Sequence, residues 1–381
     1  MGFSMSEFHE PDQDALMFER YVALGDSITH GFQSGAVDET RQNTAYGCLL
    51  ADKMNTPFNL PLLKFPGYLV NMEDIGKGNI SWWEYYYPLI GGKRLDDYEN
   101  QDTINNFGIT GMTLSDVITH GGSEGGFYKL TLSPEGKSAL DQALEKNPTF
   151  ITLWLGNNDV LNAALRVDAS VLTDVNLFLD YLAEVEQKVL ATPSVKGVMI
   201  ATVPDVTAIA YLDEIDSPEY ESGSYKPFWL REPNPAMVLT PDEIVTIREK
   251  ADIINTRIRE VAAANGWALV DANLIFNDIR DNAHEMIDGN GNGTGEYLTA
   301  DYLGGIFSLD GVHPSITGHA MAANFMIDAI NQTYGTHLDY VDEQVVSQSD
   351  SLFTDPFDPR GPWIEDGWIG KAIYFIVDQF M

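Results

Sequence analysis

Short runs rich in β-branched and aromatic residues alternate with helix-spaced stretches, and this alternation constrains the fold more than any other feature of the chain. The runs are 21–24, 103–107, 150–155, 198–203 and 267–270, and helical spacing covers 45–54, 114–119, 138–146, 171–191, 242–265 and 316–331. Continuous apolar runs separated by helices read as buried parallel strands with helices on both faces of one sheet. In such sheets ligands collect at the carboxyl ends of the strands, so the segments just past each run are where chemistry is sought.

The rest of the 381 residues lies in long connections at 56–102, 121–136, 205–241 and 277–308, with a tail after His337. Connections of that length serve binding or are disordered. No internal repeat or low-complexity linker demands a second domain. The expected organisation is an extension over 1–18, a catalytic-size domain over 19–337 with insertions at 56–102 and 205–241, and a further extension over 338–381.

Charge and cysteine content narrow the function classes. With 22 basic against 57 acidic residues the formal net charge is −35, which repels nucleic-acid phosphates and anionic membrane surfaces. No nucleic-acid partner is expected. The single Cys48 excludes an intrachain disulfide and a cysteine metal site, and it reads as a small buried hydrophobe. The first residues, "MGFSMSEFHEPDQDALMF", lack a basic n-region and an apolar h-region, so no signal peptide is read there. The C-terminal "IGKAIYFIVDQFM" is too short to span a bilayer, and no transmembrane segment is expected.

Directly past the first run, "ALGDSITHGF" places Ser27 on a Gly-Asp corner. By itself this is nucleophile or ordinary turn serine, because a serine hydroxyl also bonds nearby backbone. A nucleophile needs a base, a group to orient the base, and donors for the oxyanion. Histidine suits the base near neutral pH. Of seven histidines, His313 in "FSLDGVHPS" has an aspartate, Asp310, three residues earlier across a tight Gly-Val turn. Donors are offered by Gly111 in "NNFGITGMT" after the second run, and by the Asn158 amide in "TLWLGNNDV", read as a turn after the third.

Taken together, "GDSIT", "GITGMT", "LGNND" and "DGVHP" occur in the order and spacing of the four blocks of the SGNH or GDSL hydrolases, serine esterases and lipases that this chain resembles from Gly25 to Pro314. The resemblance implies an α/β/α sandwich of flavodoxin-like architecture with a five-stranded parallel sheet and long loop insertions. It implies Ser27 as nucleophile and first oxyanion donor, Gly111 and Asn158 as further donors, His313 as base and Asp310 as its orienter. Ile28 stands where the family name has leucine, at no reacting atom. A small-molecule ester is the implied partner, no cofactor or metal is required, and the wider context, similar to envelope-associated bacterial members, implies export, with a cytoplasmic address as the alternative. Acyl transfer to a sugar or alcohol, or a binding module without turnover, are the rival readings on the same fold.

Other patterns read as structural. Asp26 and Asp159 are taken as turn-stabilising carboxylates. "GGSEG" around Ser123 fits G-x-S-x-G, but that elbow needs a preceding strand, and 114–119 is helical. In "DGNGNGTGEY", Asp288, Asn290, Asn292, Gly293 and Glu296 match part of a calcium loop, yet Thr299 replaces the bidentate Glu, so a Gly-Asn turn is the expectation. "WWEYYYP" at 82–88 is either a packed surface loop or part of a substrate rim.

Overall fold

The computed structural model describes residues 13–69, 71–77, 92–133 and 136–354. The aromatic segment 82–88, residues 1–12 and residues 355–381 lie outside the described residues.

Nine strands are described: β1 (Tyr21–Gly25), β2 (Asn106–Gly108), β3 (Phe150–Trp154), β4 (Gly197–Ala201), β5 (Leu212–Glu214), β6 (Tyr225–Pro227), β7 (Ala268–Val270), β8 (His284–Ile287) and β9 (Gly293–Leu298). Five of them form one parallel sheet in the order β2-β1-β3-β4-β7. Every residue of β1, β3 and β4 is buried, which is why these strands read as unbroken apolar runs. The helices Tyr46–Lys53 and Ile316–Tyr334 pack together on one face. Leu114–Thr119, Val175–Leu190 and Pro241–Asn265 pack together on the other. The fold is therefore the expected α/β sandwich with a five-stranded parallel sheet.

Local chemistry sets the element ends. The long helix Pro241–Asn265 opens with a Thr240–Glu243 capping box and proline in its first turn, and buries Ile244, Ile247, Ala251, Ile254 and Ile258 at three- and four-residue spacing. The expected helix over 171–191 instead begins at Val175, because the Asp174 carboxylate accepts the Asn176 and Leu177 N–H groups and caps it there. The second strand was expected over 103–107 but spans Asn106–Gly108, since Thr103 closes a turn on the Asn100 carbonyl through both its N–H and its hydroxyl.

The long connections carry structure that periodicity did not reveal. The hairpins β5–β6 and β8–β9 lie in two of them, and the helices Asn157–Arg166 and Ala272–Asn282 likewise follow strands where no helix was read. Among the described residues after 337, Leu338 and Val341 join the core, and the buried Asp350 carboxylate accepts the Thr317 N–H and hydroxyl. Cys48 is half-buried, with its thiol donating to the Gln42 carbonyl and pushed up to about 12 by burial.

Candidate active site

The strand order reverses between β1 and β3, the point in an open α/β sheet where loops diverge and leave a crevice at the strands' carboxyl ends. Ser27 and Asn158 come from the two sides of that crevice. The chain leaves β1 at Gly25, where a Cβ would fall 2.7 Å from the Trp154 carbonyl oxygen, so only glycine lets the two strands end this close. Asp26 then caps the four-residue helix Ser27–His30, its Oδ1 accepting the Ile28 N–H at 3.0 Å. Its Oδ2 accepts the Asn157 Nδ2–H at 2.8 Å, tying the loop after β1 to the helix after β3. Asp26 is 1% exposed, and burial pushes its carboxyl up to about 6.

From the far end of the sequence, the 308–313 turn is closed by the Ser308 N–H donating to the His313 carbonyl at 2.7 Å and the Gly311 N–H to the Ser308 carbonyl at 2.9 Å. Asp310 Oδ1 accepts the Val312 and His313 N–H groups, each at 2.9 Å. Its Oδ2 lies 2.9 Å from His313 Nδ1 and accepts the Gly35 N–H at 3.0 Å. Facing a carboxylate, Nδ1 carries the ring proton, which leaves Nε2 as acceptor for the Ser27 hydroxyl 2.8 Å away. Burial acts to raise the Asp310 carboxyl, but the His313 charge, the ring N–H and the backbone N–H groups overcome it and hold the group below the usual carboxylate range.

Of the remaining sequence-predicted residues, Asn158 lines the depression beside Ser27, and Gly111 lies in the turn whose next residue Asn158 bonds. Gly111 has φ +82°, a conformation that favours glycine, in a turn closed by the Met112 N–H donating to the Ile109 carbonyl at 3.1 Å. Asn158 is the second residue of the helix Asn157–Arg166 rather than part of a loop, and its Nδ2–H donates to the Met112 carbonyl at 2.9 Å. Asp159, expected in a turn, is the third residue of that helix, and its Oδ2 accepts the Leu114 N–H at 2.9 Å, with burial raising the carboxyl to about 6. A depression beside the serine is lined by Ser27, His313, Asp26, Asn157 and Asn158 on its polar side. Leu161, Val203, Pro204, Val206, Ile209 and Val312 make its apolar side, and Gly111 is not in its lining.

Several residues that hold this arrangement were not singled out in the sequence. Ser34 and Ser308 exchange bonds: the Ser34 N–H donates to Ser308 Oγ at 2.8 Å, and the Leu309 N–H donates to Ser34 Oγ at 3.1 Å. The Phe32 ring lies 4.6 Å from the His313 ring. Their one sequence signal is position: Phe32, Ser34 and Gly35 follow directly on "GDSITHG".

The other motifs lie apart from this crevice. Ser123 is exposed, on a single 3₁₀ turn that follows the helix Leu114–Thr119. Asp288 closes a surface turn, its Oδ1 accepting the Asn290 and Asn292 N–H groups at 2.9 Å each, while Glu296 meets Gln344. Among the described residues no three His, Cys, Asp or Glu side chains converge to hold a metal ion. Nor is any described helix long and apolar enough to cross a membrane.

A parallel sheet ordered 2-1-3-4-5 in its strand succession, with a serine, a histidine and an aspartate in hydrogen-bond contact at its switch point, defines an α/β protein of the SGNH hydrolase type. The family described as GDSL-like lipase/acylhydrolase matches residues 21–326, and the chain belongs to that family. No curated protein matches it. Solved structures similar to it include a catalytic mutant of Axe2, an acetylxylan esterase from Geobacillus stearothermophilus, at 15% identity and TM-score 0.42, covering 84% of this chain and 95% of that one. The acetyl xylan esterase AlAXEase is 19% identical with TM-score 0.37, covering 81% and 98%. LAE5, an α/β hydrolase from the metagenome of Lake Arreo, Spain, is 17% identical with TM-score 0.39, covering 82% and 94%. Likeness of this degree assigns no substrate to this chain.

Proposed function

We propose that the protein hydrolyses carboxylic esters through an acyl-serine intermediate. Ser27 Oγ attacks the acyl carbon while His313 Nε2 takes its proton, and Asp310 steadies the imidazolium. The oxyanion is received by the Ser27 and Gly111 N–H groups and the second amide hydrogen of Asn158, each donor worth on the order of 10² to 10³ in rate. Collapse expels the alcohol, which takes the proton from His313. Water then attacks the acyl-serine as His313 takes a proton from it, and collapse returns that proton to Ser27 Oγ and releases the acid. No step calls for a cofactor or metal. The observation that carries this reading is the hydrogen-bonded chain from Asp310 through His313 to Ser27, closed across 286 residues of sequence.

The substrate preference proposed is for acetyl to butyryl esters. The aliphatic side of the depression suits an acyl chain, since a polyol would lose its water there without replacement partners. The acidic connections and the −35 charge oppose docking on an anionic lipid surface. A chain-length series with one leaving group, run beside Ser27→Ala as blank, tests this. kcat/KM should fall beyond about C6, although each further buried methylene could add ~0.8 kcal/mol of binding. A rise continuing to about C12 would make the protein a lipase. The family resemblance also supports export, which cell fractionation tests.

A further inference from the structure

The helix that carries Ser27 ends in a second histidine for which the proposed reaction has no use. His30 is fully buried, and burial lowers it to about 3, so it stays neutral and serves neither as base nor as charge. Its Nδ1 lies 3.0 Å from Thr110 Oγ1, and its Nε2 has no hydrogen-bond partner among the described residues. The ring meets Phe127 edge-on at 5.6 Å, and Phe127 packs in turn on Phe32, the ring that lies against His313. A polar ring buried at such cost, with a single bond to show for it, marks that bond as the reason for the residue.

Thr110 immediately precedes Gly111. On the other side of Gly111, the Met112 carbonyl accepts from Asn158. The Gly111 turn is thus held at both flanks by side chains from different elements: His30 on the Ser27 helix at residue 110, and Asn158 on the helix after β3 at residue 112. A three-residue segment gripped at both ends has little freedom to rotate the peptide between them, and that peptide carries the Gly111 N–H.

We infer that His30 is a positioning residue which, through the Thr110 hydroxyl, sets the Gly111 N–H relative to Ser27 so that both donors meet one oxyanion. This rests on the ester-hydrolase reading above. Donors misplaced by a fraction of an ångström lose strength in the transition state, where charge has developed, far more than in the bound ester. The His30–Thr110 bond therefore acts on kcat and leaves KM nearly alone.

Substitutions at both ends of the bond test it. Thr110→Val keeps the buried shape and removes only the hydroxyl; kcat should fall about tenfold with KM within about twofold, less than the 10² to 10³ of deleting a donor outright. Thr110→Ser should restore most of the rate. His30→Asn keeps a polar group where Nδ1 stood and should be more active than His30→Gln, which places one where Nε2 stood. His30→Leu combined with Thr110→Val should be no slower than the slower single variant, because both remove the same bond. Equal rates for Thr110→Val and the parent, or losses that multiply in the double variant, would overturn the inference. Ser27→Ala in the same series separates the two levels: full turnover there sinks the hydrolase reading itself, whereas an inactive Ser27→Ala beside a fully active Thr110→Val sinks only the role of His30.

Discussion

Two turns in this molecule begin with nearly the same sequence, "LDGVH" at Asp310 and "IDGNG" at Asp288, and they end in opposite roles. Locally they use the same chemistry. Asp310 Oδ1 accepts N–H groups two and three residues on, and Asp288 Oδ1 accepts those two and four residues on. Both carboxyls are held below the usual range, Asp288 by the Asn292 N–H first, Asp310 by the His313 charge and bonds acting against burial. The second oxygen separates them. Asp288 Oδ2 stays within its own turn, on Asn292 Nδ2, at the surface of the β8–β9 hairpin. Asp310 Oδ2, in a residue 5% exposed, reaches the His313 ring and the Gly35 N–H 275 residues away. A carboxylate turn becomes part of a site when its spare oxygen is claimed by another element in a place that water does not reach.

The largest expected effects are at the two candidate serines, Ser27 beside the Asp310 turn and Ser123 on a turn of its own. Ser27→Ala should abolish ester turnover to within the blank, and Asp310→Asn should keep more activity than Ser27→Ala, because groups acting as one unit are not additive. Ser123→Ala, on the exposed 3₁₀ turn, should turn over ester at the parent rate. Steady-state kinetics on the purified variants decides it; loss in Ser123→Ala with an active Ser27→Ala would move the nucleophile to the 122–124 turn and leave the Asp310 turn without a catalytic role.

A smaller effect, on stability, distinguishes buried carboxylates from surface ones. Asp26 titrates near 6 in the fold against 3.8 without it. Between those values the unfolded chain has released a proton that the folded chain keeps, so this group's contribution to stability is complete below about 4, falls as pH rises to about 6, and stays flat above. The drop is on the order of 3 kcal/mol. Asp26→Asn removes that term, so denaturant unfolding should show its stability relative to the parent rising from pH 4 to 6. A pH-independent difference would mean Asp26 is ionised throughout.

Smallest of all is the expected effect at the comparison turn. Asp288→Asn should leave kcat/KM within about twofold, against the larger loss for Asp310→Asn. Chelation with EDTA should likewise leave turnover intact. If EDTA abolished activity and calcium restored it, the Asp288 turn would be a metal site and the contrast drawn here would fail.

Much of the fold was legible because its signals are short-ranged. The buried runs of β1, β3 and β4, and the Thr240 and Ser315 caps, depend on residues within a few positions of one another. The helix Asn157–Arg166 was missed for an equally local reason: its first residues, Asn157, Asn158 and Asp159, are turn formers, and here one side-chain atom of each is bonded to a distant element, at Asp26, the Met112 carbonyl and the Leu114 N–H.

The sequence alone therefore determined the parallel α/β class, the four motif blocks in their order, and the proximity of Asp310 to His313 across one tight turn. Only the tertiary structure decided which hydroxyl that imidazole meets, that Ser34 and Ser308 interlock, and that His30 reaches Thr110. These partners are 286, 274 and 80 residues apart. No periodicity or turn preference extends so far. The sheet order places β2 and β3 on either side of β1 and so brings their loop ends to one crevice, which the 308–313 turn enters from the start of the helix Ile316–Tyr334; there buried polar groups find partners in one another rather than in water.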